Sequence, residues 1–106
     1  MFEALDTAEQ MIQALSGPVR ELRSRDVDLY RQIKRAANSV SMNLAEGRRR
    51  TGKDRLHLWR VAAGSAAEVR TALHNSVAWG DLEASRLEEA LELLDRVIAM
   101  TWRMTR

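Results

Sequence analysis

The residues most able to do chemistry in this sequence are basic and lie close together near its middle. They are Arg48, Arg49, Arg50, Lys53 and Arg55, all within eight positions. A guanidinium group binds phosphate through two parallel hydrogen bonds, and about six to eight such contacts give strong, salt-sensitive binding to nucleic acid. The other interpretation is a solvated loop whose charges favour the carbonyl end of the preceding helix. The run contains no aromatic residue, so it does not indicate a platform for base stacking.

Further basic residues precede this run on the polar face of the helix that leads into it. We therefore predict a nucleic-acid-binding surface made of Lys34, Arg35, Arg48, Arg49, Arg50, Lys53 and Arg55. Neutralising the loop separates the two interpretations, because a binding surface then loses its ligand and a solvated loop loses nothing.

Side chains suited to catalysis or metal binding are scarce. The chain has no cysteine, which excludes a disulfide framework, a thiolate zinc site and a thiol nucleophile. Its two histidines, His57 and His74, are 17 residues apart on one predicted helix, more than about 20 Å along the axis, so they cannot share a metal ion. No glycine-rich phosphate loop of the Walker or dinucleotide type is present. We expect no enzyme activity, no metal and no cofactor.

Three tryptophans, Trp59, Trp79 and Trp102, form a second group of interest. A small helical domain cannot easily bury three indoles, and partly exposed tryptophan is typical of protein interfaces. The alternative is that the indoles plug the open ends of the domain. We favour the interface, because the helix that carries Trp59 shows two apolar lines rather than one.

Two of the predicted helices contain a glycine and polar residues at positions that call for a structural explanation. Gly64 lies in the middle of a helix, where it costs up to about 1 kcal/mol relative to alanine, so we expect a neighbouring helix to approach closely there. Two polar pairs have i, i+3 spacing: Asn43 with Glu46, and Ser65 with Glu68. Either they meet as a polar patch between two helices, or they are independent surface residues.

Four amphipathic helices must position all these residues. Apolar residues recur at steps of three and four almost throughout, and no segment shows the alternation of a strand. The predicted helices span about residues 2–24 with a kink near Pro18, 27–46, 54–78 and 82–104. The third helix carries two apolar lines, so we expect it to be covered on more than one side. Four helices joined by short loops predict an all-α, up-down-up-down antiparallel four-helix bundle, a single domain over residues 1–106.

Capping residues set the expected ends of these helices. Asp26 is the predicted N-cap of the second helix, because its carboxylate can accept from free amides of the first turn. Gly47 is expected to end that helix in a left-handed conformation. The fourth helix is expected to be capped by Asp81, or by Ser85 with Glu88 as a capping box.

Length and charge bound the class of protein. The chain has 106 residues and a formal net charge of +2, and it is long enough for one domain. Residues 17–80 carry thirteen basic and six acidic residues, whereas residues 81–106 carry four basic and six acidic ones. The sequence shows no signal-peptide pattern and no apolar stretch long enough to span a membrane, so we expect a cytoplasmic location and no membrane partner.

Two segments resemble the signature of a known family. They are Arg35–Gly47, which reads RAANSVSMNLAEG, and Ala62–Val69, which reads AAGSAAEV. Together they resemble the four-helix-bundle family encoded by intervening sequences of 23S rRNA genes, which includes the accessory variability determinant of diversity-generating retroelements. The resemblance covers about residues 29–73. It implies a four-helix protomer in a ring-like homopentamer and, for the accessory determinant, binding to a reverse transcriptase and to nucleic acid.

The same resemblance assigns roles to individual positions. Structural signature positions would be Asn43, Glu46, Gly47, Gly64, Ser65 and Glu68, and Arg35 and Arg50 match basic positions of the pattern. We predict a non-catalytic oligomeric adaptor that binds RNA or DNA electrostatically and presents it to a protein partner such as a reverse transcriptase. The alternative is a structural protein–protein interaction module with no nucleic-acid role.

Overall fold

The chain folds into four α-helices and two short 3-10 helices, and the computed structural model describes all 106 residues. The helices are α1 (Glu3–Arg20), α2 (Val27–Arg48), α3 (Gly52–Ala78) and α4 (Glu88–Thr105); the 3-10 helices are Glu21–Ser24 and Ala84–Leu87. No strand forms, and the four helices pack side by side in a molecule of 42 × 22 × 20 Å. The predicted all-α four-helix bundle is confirmed.

At one end of the bundle α1 begins, α2 ends, α3 begins and α4 ends, and we call this the loop end. The indole Nε1 of Trp59 donates a hydrogen bond to the carbonyl of Leu44 at 3.3 Å, which ties α3 to α2. The same indole lies 5.7 Å from the ring of Phe2, measured between centroids. Arg60 donates to the carbonyl of Thr105 at 3.5 Å and so ties the start of α3 to the end of α4.

The opposite end, which we call the far end, joins the remaining helix termini. Arg25 donates a hydrogen bond to the carbonyl of Asp81 at 3.3 Å, so the start of α2 lies beside the end of α3. Arg86 pairs with Glu21 and links the 3-10 helix before α4 to the one after α1. Each helix therefore begins at the end of the bundle where the previous helix ends, so neighbouring helices are antiparallel.

Local sequence explains how α1 ends and α2 begins. α1 runs through Pro18 as one element and changes to 3-10 geometry only at Glu21. The amide that proline lacks belongs to the last turn of α1, where its loss interrupts little of the helix. The Asp26 carboxylate accepts from the backbone N–H of Leu29 at 3.0 Å, which confirms the predicted N-cap of α2.

The fourth helix begins later than the sequence indicated, because Asp81 completes the end of α3 instead of starting α4. The N–H of Asp81 donates to the carbonyl of Ser76, and the N–H of Gly80 donates to that of Val77, both at 2.9 Å. This pattern is a Schellman motif, and Gly80 supplies its left-handed residue with φ of +80°. A 3-10 turn follows, with Leu87 buried at its end, and α4 begins at Glu88 with no side-chain cap.

The interior of the bundle is built from small and branched aliphatic residues on all four helices. The two apolar lines of α3 are both covered within the single chain, since α3 packs against α2 on one side and α4 on the other. The buried residues that α3 contributes are Ala62, Ala66, Val69, Ala72, Leu73 and Ser76. The second line is therefore not a surplus apolar face awaiting a partner.

Gly47 does not end α2, contrary to the prediction, because the helix continues to Arg48. The residue is buried, and a Cβ placed on it would lie 2.5 Å from Cδ1 of Trp59. Glycine is required here for close packing of the indole rather than for a left-handed turn. The left-handed glycine of this connection is Gly52, with φ of +57°.

Gly64 also differs from its prediction. It lies exposed on α3, and a Cβ placed on it would meet nothing within 4 Å. A side chain at this position would have room, so packing within the chain gives no reason for glycine.

Replacing Gly47 by alanine is expected to lower the free energy of unfolding by about 1–3 kcal/mol, because the new methyl group overlaps the Trp59 indole. Urea denaturation followed by far-UV circular dichroism measures the change. In a Trp59→Leu background the same substitution should be neutral or slightly stabilising, since alanine is the better helix former once the indole is gone. Equal destabilisation in both backgrounds would contradict the assigned contact.

Candidate nucleic-acid interface

The basic run lies at the loop end, across the junction between α2 and α3. Arg48 is the last residue of α2, Arg49 and Arg50 form the turn, and Lys53 and Arg55 lie in the first turn of α3. All are exposed except Arg55, which is half-buried. The side chains thus point to solvent around one helix–helix junction, but their environments differ.

Arg55 is used inside the fold. Its Nε donates to the carbonyl of Gly47 at 3.1 Å and its Nη2 donates to that of Arg48 at 3.0 Å. Both carbonyls belong to the last turn of α2, where that of Gly47 also accepts from the backbone N–H of Arg50, so the guanidinium caps the helix by adding a charged donor. The same group lies 5.2 Å from the ring centre of Trp59. Arg55, which was predicted to bind phosphate, is fixed by these contacts.

Arg50 is also engaged, although more loosely. Its guanidinium pairs with the carboxylate of Glu46 one turn earlier, at 3.0 Å, and both side chains are about half-exposed. Such exposed pairs contribute only about 0–1 kcal/mol, so a phosphate can compete for the guanidinium.

The remaining loop residues keep their charges free. Arg49 and Lys53 make no ion pair or side-chain hydrogen bond in the structure. Arg48 lies over the ring of Phe2, 5.5 Å from its centre, and has no carboxylate partner. The structure therefore brings three unneutralised basic side chains to the surface of the loop end.

Lys34 and Arg35 lie apart from the loop, contrary to the single cluster that was predicted. They are 13 to 14 residues before Arg48 on α2, which is about 20 Å along the helix axis. There they line an open groove of about 550 Å³ that also contains Tyr30 and Asn38. The Nζ atom of Lys34 lies 5.9 Å from the ring centre of Tyr30.

Two of the signature residues are joined between α2 and α3. The hydroxyl of Ser65 is 2.8 Å from that of Ser39, and Nδ2 of Asn43 donates to the carbonyl and hydroxyl oxygens of Ser39 at 2.8 and 3.1 Å. Asn43 and Ser65 thus meet through Ser39, so for these two residues the shared polar patch is the alternative that the structure shows. Glu46 and Glu68 are not part of this network; Glu46 pairs with Arg50, and Glu68 is exposed.

The three tryptophans have two different environments. Trp59 plugs the loop end, packed on Gly47 and hydrogen-bonded to α2. Trp79 at the end of α3 is 78% exposed and Trp102 on α4 is 58% exposed. The plug and the exposed-surface interpretations therefore apply to different members of the group.

The predicted binding surface did not include three further basic residues that lie at the loop end: Arg60, Arg103 and Arg106. Residues 81–106 are acidic in sum, but residues 96–106 carry three arginines and no acidic residue. Because α4 runs towards the loop end, its basic half joins the basic run and its acidic half lies at the far end. A finer division of the charge along α4 would have found this signal.

The sequence of the whole bundle matches a family model described as 23S rRNA-intervening sequence protein, over residues 3–103. The chain belongs to that family. The match takes in all four helices, including the Asn43–Ser39–Ser65 network and the Gly47–Trp59 contact. Neither a search of curated proteins nor one of solved structures found a match.

Two further observations concern metal ions and membranes. No cluster of three or more histidine, cysteine, aspartate or glutamate side chains is arranged to hold a metal ion. No helix combines the length and apolar character needed to cross a bilayer.

Replacing Arg55 by glutamine is expected to lower the free energy of unfolding by about 1–2 kcal/mol, because the last turn of α2 loses its charged donor and Trp59 its stacked guanidinium. Arg49→Gln is the matched control. It removes the same charge from the same α2–α3 junction but breaks no side-chain hydrogen bond or ion pair, so its effect should stay within about 0.5 kcal/mol. Urea denaturation of both variants tests this difference, and equal stabilities would refute the capping role of Arg55.

Proposed function

We propose that this 23S rRNA-intervening sequence family protein is a non-catalytic, oligomeric adaptor that binds RNA or DNA through its loop end. The observation that carries the proposal is the set of unneutralised side chains there, Arg48, Arg49 and Lys53. Arg50 adds to them when a phosphate displaces Glu46. Because these groups lie on a helix junction held by Trp59 and Arg55, they are presented to phosphates with little loss of backbone entropy on binding.

The distribution of charge supports binding at this end rather than elsewhere. Arg60, Arg103 and Arg106 extend the positive surface, whereas the acidic residues of α4 lie towards the far end. The second basic surface, Lys34 and Arg35 on α2, would make additional contacts with a ligand long enough to span about 20 Å.

A second surface supports assembly of several copies. Ser39 and Ser65 fix the register of α2 against α3, and one turn nearer the loop end this register brings Met42 level with Val61. These side chains are 67% and 36% exposed, and the exposed Gly64 follows Val61 by one turn of α3. Apolar side chains beside a residue with no side chain form a surface that another protein can approach closely. We propose that a second copy covers it and that the assembly is a ring-like homopentamer.

The protein partner belongs to the same proposal. Retroelement accessory determinants, which this sequence resembles, suggest a reverse transcriptase as the protein that receives the nucleic acid. A ring of copies would place several loop ends side by side, and binding by several weak sites on one ligand raises the overall affinity.

Replacing Arg48, Arg49 and Lys53 together by glutamine is expected to weaken binding to a 20-base-pair duplex and to a structured RNA. The slope of log K against log salt should become shallower by about two to three units on the duplex, close to 0.9 for each lost phosphate contact. Fluorescence anisotropy over a salt series measures affinity and slope. The control changes Arg20, Arg23 and Arg25, which removes the same charge from the far end. Equal losses in both variants would contradict a site at the loop end.

Light scattering is expected to give a mass of about 60 kDa, five copies of the 12.1 kDa chain. Met42→Glu should reduce this mass, because it places a charge in the apolar contact between copies. Gln13→Glu on the exposed side of α1 makes a similar charge change outside that surface and should leave the mass unaltered. A wild-type protein that remains monomeric at tens of micromolar would refute the assembly.

A further inference from the structure

Trp102 lies in a groove between α3 and α4 that neither the basic run nor the Met42 surface includes. Its indole is 58% exposed, although a side chain of this size is usually covered in a bundle. The groove has a volume of about 430 Å³ and is lined by Arg70, Asp95, Ile98, Ala99, Trp102, Arg103 and Arg106.

The groove is positively charged around the indole. Its single side-chain carboxylate, that of Asp95, pairs with Arg70 at 3.6 Å, and the guanidinium groups of Arg103 and Arg106 pair with no acidic side chain. The Arg106 guanidinium lies 4.3 Å from the centre of the Trp102 ring. When the Arg106 guanidinium turns from the ring to a phosphate, the exposed indole offers a flat surface for a base, and Arg103 adds a second charge for the phosphates.

The groove lies towards the loop end of the bundle. Arg60 on α3 donates to the carbonyl of Thr105, three residues after Trp102, so the two helices are tied together at this end of the groove. A single strand lying in the groove would continue onto the positive surface of Arg48, Arg49 and Lys53.

We propose that this groove binds an unpaired base of RNA or DNA, stacked on the Trp102 indole with its phosphates held by Arg103 and Arg106. The inference rests on the proposed function and narrows it: the preferred ligand contains a single-stranded segment. A duplex keeps its bases stacked on one another, so it engages the loop end but leaves the indole without a base.

Trp79 serves as the internal comparison. It is even more exposed, at 78%, but no guanidinium lies over its ring and the residues that follow include Asp81 and Glu83. Exposure alone therefore does not make a base-binding site; the arginines beside the indole distinguish Trp102.

The test compares Trp102→Ala with Trp79→Ala, using a 12-nucleotide oligouridine and a 12-base-pair RNA duplex as probes. Trp102→Ala is expected to weaken oligouridine binding by about 5- to 100-fold, the usual effect of one lost base–aromatic stack, and to leave duplex binding and both salt slopes unchanged. Trp79→Ala should change neither affinity. Trp102→Phe, which keeps an aromatic ring, should restore most of the oligouridine affinity.

Fluorescence gives a second readout that a structural role of Trp102 would not produce. A Trp79→Phe protein keeps two indoles, Trp59 and Trp102. Oligouridine should quench the part of their emission that comes from Trp102, and the quenching should disappear when Trp102 is also changed to phenylalanine. Light scattering and urea denaturation verify that each variant keeps the assembly and stability of the wild type. A reduced mass for Trp102→Ala would identify Trp102 as an interface residue and overturn the proposal.

The remaining outcomes separate this inference from the adaptor itself. If Trp102→Ala binds oligouridine as the wild type does, or loses duplex and single strand alike, the stacking site is refuted. The adaptor then still stands provided that the Arg48, Arg49 and Lys53 variant loses duplex binding. If the wild type binds neither probe at low salt, the adaptor is refuted and the stacking site with it.

Discussion

The close contact between the Trp59 indole and the backbone of α2 at Gly47 organises the loop end. Because Gly47 has no side chain, the indole reaches α2 and donates to the carbonyl of Leu44. The same ring packs against Phe2, the residue before α1, and against the guanidinium of Arg55. One side chain thus joins the start of α1, the end of α2 and the start of α3. The basic junction between α2 and α3 has a defined shape because this contact holds both of its helices.

The same contact separates the basic residues of the loop end into two groups with different roles. Arg55 is held by the indole and by the last carbonyls of α2, so its charge stabilises a helix end. Arg49 and Lys53 lie only a few residues away but touch neither the indole nor a carboxylate. A cation that has a partner in the folded protein is costly to move to a ligand, whereas one exposed to water is already available. Within one run of basic residues, one side chain can therefore stabilise the helix junction while its neighbours remain available to bind phosphate.

The antiparallel arrangement also separates surfaces by charge and polarity. The acidic residues of α4 precede its arginines in sequence, so its direction carries the basic half to the loop end. The exposed apolar residues Met42 and Val61 lie instead on the side of the bundle formed by α2 and α3. Contacts between copies and contacts with nucleic acid would then use different surfaces, so neither needs to displace the other.

The sequence alone determined the helices and their class, because helix formation and amphipathic period are local properties. The apolar steps of three and four gave four helices, and Asp26 was recognisable as a cap from the turn that follows it. Local reasoning misplaced Gly47 and Gly64, since only the packing of α3 on α2 shows which glycine lacks room for a side chain. Nor did it reveal that Arg70 lies in the same groove as Trp102, 32 positions later in the chain. Which residues from different helices become neighbours depends on the register and direction of the helices, and these are set by the tertiary structure.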